Sequence, residues 1–180
     1  MTHIARPAAN EHAPYYAGYI DAAEATLAPR GLADVLALLE AQTADWQALM
    51  ATVPEAKASV AYAPGKWTLA ESLVHVSDTE RVFAYRLLRI ARGDRTPLPG
   101  FEQDDWVPTS RAVNRSLADI IAEMYAMRAA TLALVRSLDD EAVAQTGVAS
   151  GKVVTARALV WMIAGHMQHH FGLTRERYLA

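Results

Sequence analysis

Apolar residues recur at three- and four-residue steps along four stretches of this chain, with no sustained alternation of the strand kind. Leu32, Val35, Leu36, Leu39, Thr43, Trp46 and Leu49 predict a first helix from about Leu32 to about Thr52, between Gly31 and Pro54. The second carries the strongest start signal. Pro64-Gly65 turns the chain, and Thr68-Leu69-Ala70-Glu71 reads as a capping box, with Thr68 as cap and Glu71 reaching back to the cap amide. Its stripe of Leu69, Leu73, Val76, Val82/Phe83, Leu87 and Ile90 runs on to Arg92, before Gly93. A third helix starts near Ser116, with Asp119 as a second capping pair, and runs through Ile120, Met124, Met127, Leu132 and Leu134 to about Leu138. The fourth starts near Thr155 and carries Leu159, Met162, Ile163, His166, His170 and Leu173 to about Tyr178.

Between the second and third helices, residues 94–113 hold Pro97, Pro99, Gly100 and Pro108 and predict a connection without structure of its own. A loop of that length inside a small domain is often functional, and it is long enough to cross a bundle from end to end. Asp139-Asp140-Glu141 and the stretch from Gly147 to Gly151 predict the next loop. Tyr15, Tyr16 and Tyr19 predict a short helix within residues 1–30, packed on the bundle. Four long helices and no strands make the expected fold all-α, a four-helix bundle spanning residues 1–180 as one domain.

Composition narrows the chemistry. The chain has 180 residues, 52% of them hydrophobic, enough for one sizeable core. A net charge of -3 leaves no basic footprint for nucleic acid and no polybasic membrane patch. Cysteine is absent, which removes disulfides, thiolate zinc sites, iron–sulfur clusters and cysteine nucleophiles together and fits a reducing cytoplasm. No apolar run is long enough for a membrane span, and residues 1–30 do not read as a signal peptide. A soluble, cytoplasmic protein is expected.

The chemistry concentrates in histidines. His166 and His170 are four residues apart, so they project from one helix face, the spacing with which two imidazoles grip one metal ion. His75 stands alone on the second helix, about 10 Å beyond its cap. In an up-down-up-down bundle it would sit one to two turns out of level with the other two. With the second and fourth helices antiparallel, His170 lies about 12–15 Å from the end beside that cap, close to the depth of His75. The long 94–113 connection is what an up-down-down-up order needs, so loop length and histidine depth agree. Gly165, directly before His166, suggests a close backbone approach.

His169, three residues after His166, competes with His170 as a ligand, although the i, i+4 pair converges better. His3 and His12 are expected in solvent. Met167 stands where a zincin would have glutamate, and no Glu-x-x-His di-iron motif occurs. An all-nitrogen triad suits zinc, nickel, iron or copper, and its open positions would acidify a bound water or polarise a thiol or carbonyl. Asp78, one turn beyond His75, is a candidate base or outer partner, and the tyrosines, Tyr19 among them, are further candidates. Trp67 reads as a packing residue beside the capping box. Phe101 to Trp106 reads as a loop pinned by two aromatics or closing over a pocket.

The stretch Gly65-Lys66-Trp67-Thr68 leading to Glu71 and His75, then Asp78-Thr79-Glu80-Arg81, resembles the DinB/YfiT-like superfamily. The run from Gly165 to His170, followed by Arg175-Glu176-Arg177-Tyr178, resembles that family's last helix. The resemblance implies a bundle in up-down-down-up order and one divalent ion, commonly nickel or zinc, on residues matching His75, His166 and His170. It also implies a homodimer acting on a small molecule, as a metal-dependent hydrolase or a transferase or isomerase using a low-molecular-weight thiol. The alternative expectation is a non-catalytic metal-binding or stress-response interaction protein.

Overall fold

A computed structural model describes residues 3–180. The chain runs through α1 (Ala17–Leu27), α2 (Val35–Met50), α3 (Leu69–Ala91), α4 (Gln103–Thr109), α5 (Leu117–Arg136), α6 (Asp140–Ala144), strands β1 (Thr146–Ala149) and β2 (Lys152–Thr155), and α7 (Ala156–Leu173). Each long helix begins on a side-chain oxygen that accepts an otherwise orphaned backbone N–H. Asp34 accepts from Ala37, Ser116 from Asp119 and Thr155 from Ala158. At α3 the capping box is complete: the Glu71 carboxylate accepts from the Thr68 amide at 2.8 Å while Thr68 accepts from the Glu71 amide. The box foreseen at α5 is half made, because the Asp119 carboxylate turns to Arg115 at 2.7 Å instead.

Cross-helix contacts give the directions. Ser72 meets His170 and His75 meets His166, so α3 and α7 are antiparallel. Gln42 bonds the Ala164 carbonyl and Trp46 stacks on Phe171, so α2 and α7 run together. Glu40 pairs with Arg136 and Gln42 with Arg128, while Trp46 and Met124 share one apolar cluster, which sets α5 against α2. The order is therefore up-down-down-up, and the connection between the parallel α3 and α5 must travel the length of the bundle.

That connection is not bare loop. It contains α4, seven residues with Pro108 inside, and Leu98 joins the small sheet by bonds to the Val148 carbonyl and the Ser150 amide. The loop before α7 likewise holds α6 and an antiparallel hairpin pairing Thr146 with Thr155 through Ala149 with Lys152. Ser150 and Gly151 turn the hairpin with φ of 52° and 71°, the left-handed pair that a two-residue turn of type I′ requires. These are the departures from the strandless expectation. At the N-terminus, Tyr15 and Tyr16 lie in a 3-10 turn and Tyr19 in α1, which packs along α7. His12 is buried rather than solvated, its Nδ1 donating to the Ala13 carbonyl.

Two apolar clusters fill the bundle. One gathers Ile20, Leu39, Leu87, Leu159 and Met162; the other gathers Trp46, Leu73, Ile120, Met124 and Met167. Burial of each such side chain stabilises by about 1.5–3 kcal/mol. Along α7 the change from one cluster to the other falls between Ala164 and Met167, at His166. A buried polar knot ties all four long helices there. Arg128 gives Glu80 two bonds of 2.8 and 2.6 Å and also bonds Gln42, which in turn donates to the Ala164 carbonyl. No helix among the described residues is long and apolar enough to cross a membrane.

Candidate metal centre

The i, i+4 spacing on α7 puts His166 and His170 on one face with ring centroids 4.6 Å apart, and α3 brings His75 to 5.1 and 5.0 Å from them. Each of the three offers one nitrogen within 4.8 Å of the others. His75 Nε2 and His166 Nε2 are 3.1 Å apart. Two nitrogens about 2.1 Å from one ion, at roughly 90–109°, stand about 3.0–3.4 Å from each other, so this pair has the separation of two ligands on one cation. A hydrogen bond alone would account for the pair but not for a third buried imidazole beside it.

All three rings are withdrawn from water, at 4–5% exposure. Burial lowers the His75 pKa from 6.5 to about 4, against the opposing pull of the Asp104 carboxylate and with a smaller push from His169. Burial first, and then the neighbouring imidazoles, hold His166 and His170 well below the usual value. At neutral pH all three are therefore uncharged, with lone pairs free for a cation. Two of the outer nitrogens have partners: Thr79 Oγ1 stands 3.4 Å from His75 Nδ1, and Ser72 Oγ stands 3.4 Å from His170 Nδ1. Hydroxyls in such places orient ligating imidazoles and select their tautomers.

Gly165 completes the frame. A Cβ there would lie 1.9 Å from the Tyr19 carbonyl oxygen, so α1 crosses α7 backbone against backbone. That crossing lays the Tyr19 ring edge-on to His166 at 5.4 Å and beside His169 at 5.6 Å.

The site opens into a cavity of about 480 Å³ whose walls include Tyr19, Trp67, Asp104, His169 and Tyr178. Tyr19 thus stands in the wall, its hydroxyl pKa raised by burial. Trp67 packs its ring 4.8 Å from His75 rather than only stapling the helix start. His169 is exposed at the cavity, beside the triad and outside it. Asp78 is elsewhere: it bonds Arg81 at 3.2 Å and lines a separate pocket. The carboxylate that does line the cavity is Asp104, on α4. Sequence reasoning passed over it as part of a pinned loop. Phe101 and Trp106 do pin that loop, ring to ring at 4.8 Å. Ser72 and Thr79 were also missed, although their offsets of three and four residues put them on the His75 face.

The sequence profile of the DinB superfamily matches residues 38–173, most of the chain and all three histidines. The chain belongs to the DinB superfamily. No curated protein sequence is significantly similar to it. Among solved structures, YfiT from Bacillus subtilis, described as "a probable metal-dependent hydrolase with an unusual four-helix bundle topology", superposes with a TM-score of 0.69 at 15% identity, covering 95% of this chain and 92% of that one. The mycothiol-dependent maleylpyruvate isomerase superposes with a TM-score of 0.64 at 16% identity over 76% of this chain, which spans 57% of that protein. At these identities the likeness is one of fold, and this DinB protein shares YfiT's four-helix-bundle topology.

Proposed function

We infer that this DinB protein is a metal-dependent enzyme in which His75, His166 and His170 hold one divalent ion, nickel or zinc before others, to activate water or a low-molecular-weight thiol. The observation that carries this reading is the clustering of three buried, neutral imidazoles, two of which, His75 and His170, line a polar cavity. Such an ion with open positions supplies Lewis acidity to a bound water, thiol or carbonyl. The chain's own groups do the rest. Trp67 and Tyr19 wall the histidines from bulk water; in this reading the Tyr19 hydroxyl, kept protonated by burial, would donate a proton and Asp104 would accept one. Hydrolysis is the reaction named for YfiT, and thiol dependence is named for the isomerase. Both reactions fit a site of this kind. A homodimer is the state that the family resemblance implies, and the lack of cysteine fits a reducing cytoplasm.

The test is turnover of tag-free protein across a panel of esters and across thiol acceptors with glutathione, mycothiol and bacillithiol, before and after chelation. The reading expects activity that chelation removes and a divalent ion restores. Turnover that survives full metal removal would refute it. Metal bound without turnover in either panel would favour a non-catalytic metal-binding protein.

A further inference from the structure

Arg86 is a buried cation without an anion. It stands on α3 about three turns beyond His75 and is 2% exposed. Its Nη2 donates to the Pro99 carbonyl at 2.7 Å and to Ser150 Oγ at 3.0 Å, and its guanidinium lies 5.7 Å from the Phe101 ring centroid. The Tyr16 hydroxyl is a further neighbour. Every one of these partners is neutral, and among the described residues no carboxylate pairs with Arg86. The other buried arginine, Arg128, has Glu80 on two bonds. Withdrawing a guanidinium from water without a counter-charge is costly, and neutral acceptors with one ring face offset only part of that cost.

Arg86 lines a cavity of about 410 Å³ that shares no lining residue with the histidine cavity. Val82, Tyr85, Leu98, Phe101 and Trp106 give it apolar walls, and Tyr85 and Trp106 remain exposed. At its rim Arg81 is already matched by Asp78 and Glu123. The volume is that of a small-molecule site; Asp78 and Arg81 also reach its lining but pair with each other, so Arg86 is the one charged group there without a partner charge.

We propose that this cavity binds a small monocarboxylic acid with an apolar body, its carboxylate on Arg86 and its hydrocarbon against Tyr85, Phe101 and Trp106. A carboxylate matches the guanidinium fork, and the walls reward an apolar body and nothing more polar. The same arginine clamps the crossover at Pro99 and the hairpin at Ser150 onto α3, and this dictates the controls.

Metal-free protein is titrated with decanoate and with decan-1-ol, read by calorimetry and tryptophan fluorescence. Wild type is expected to bind decanoate saturably, one per chain and about tenfold or more tighter than the alcohol. Val82→Trp fills the cavity while leaving the Arg86 bonds in place, and it should lose decanoate binding. Arg86→Met, if folded by circular dichroism, should lose the preference for acid over alcohol. His166→Ala should bind decanoate like wild type, which separates this cavity from the histidine site. Absence of saturable binding to wild type, equal affinity for acid and alcohol, or undiminished binding by Val82→Trp would each overturn the proposal. None of these three depends on Arg86→Met folding.

Discussion

Gly165→Ala adds one methyl group at the crossing of α1 and α7, and the structure leaves no room for it. The new Cβ would lie 1.9 Å from the Tyr19 carbonyl oxygen and 2.4 Å from its carbon. Ordinary contact begins near 3.4 Å, so the two backbones must part by about 1.5 Å. No side-chain rotation relieves this, because both parties are main chain. Alanine favours the helix by about 1 kcal/mol over glycine, while overpacking a core costs about 1–3 kcal/mol and more when backbone must move. The clash should win, for a net loss of about 2 kcal/mol, or about 4–8 °C in melting temperature for a chain of this size. Because α1 carries Tyr19 onto His166 and His169, metal affinity should fall as well. Urea and thermal melts followed by circular dichroism measure the first effect, and competition with a chromogenic chelator measures the second. Tyr19→Ala should not rescue Gly165→Ala, since the obstructing atoms are backbone. A variant as stable as wild type or more so would show that α1 does not sit on Gly165, and the argument would fail.

Arg128→Met should cost about 3–5 kcal/mol by urea midpoint, because it strands a buried carboxylate, while the double change with Glu80→Gln should recover much of the loss. Stability of the metal-free protein should be flat above pH 6.5 and fall as pH drops toward 4, because unfolded His75 takes up a proton that the folded site refuses. His75 alone accounts for roughly 3 kcal/mol over that window, and His166 and His170 act in the same direction. Stability that held level through the window would contradict a buried neutral triad. Thr79→Val and Ser72→Ala should each weaken metal binding about tenfold or more and leave the urea midpoint close to wild type, because they remove only the hydroxyls beside His75 and His170.

The long helices were legible because each buries one stripe and most start where a cap residue stands, Thr68 with Glu71 most plainly; Asp34, the cap of α2, lay inside the predicted helix. The antiparallel pairing of α3 and α7 was legible too, from the depth of three histidines and the length of one loop. What escaped has physical reasons. Four-residue strands such as Thr146–Ala149 are too short for alternation to register, and the stretch from Gly147 to Gly151 read as loop. Helix α4 is seven residues long and proline-broken, so Asp104 read as a loop residue while it lines the histidine cavity. Glu80 and Arg128 are charged and lie on different helices, and nothing local announces that each is buried for the other's sake. Arg86 is one of several arginines along α3, and nothing local marks it as the one the fold buries against neutral groups.

The central claim is that His75, His166 and His170 share one cation. Metal content of tag-free protein by plasma mass spectrometry, wild type beside His166→Ala, tests it most directly. The account predicts about one divalent ion per chain in wild type and close to none in the variant. Trace metal in wild type, unchanged by the substitution, would contradict it.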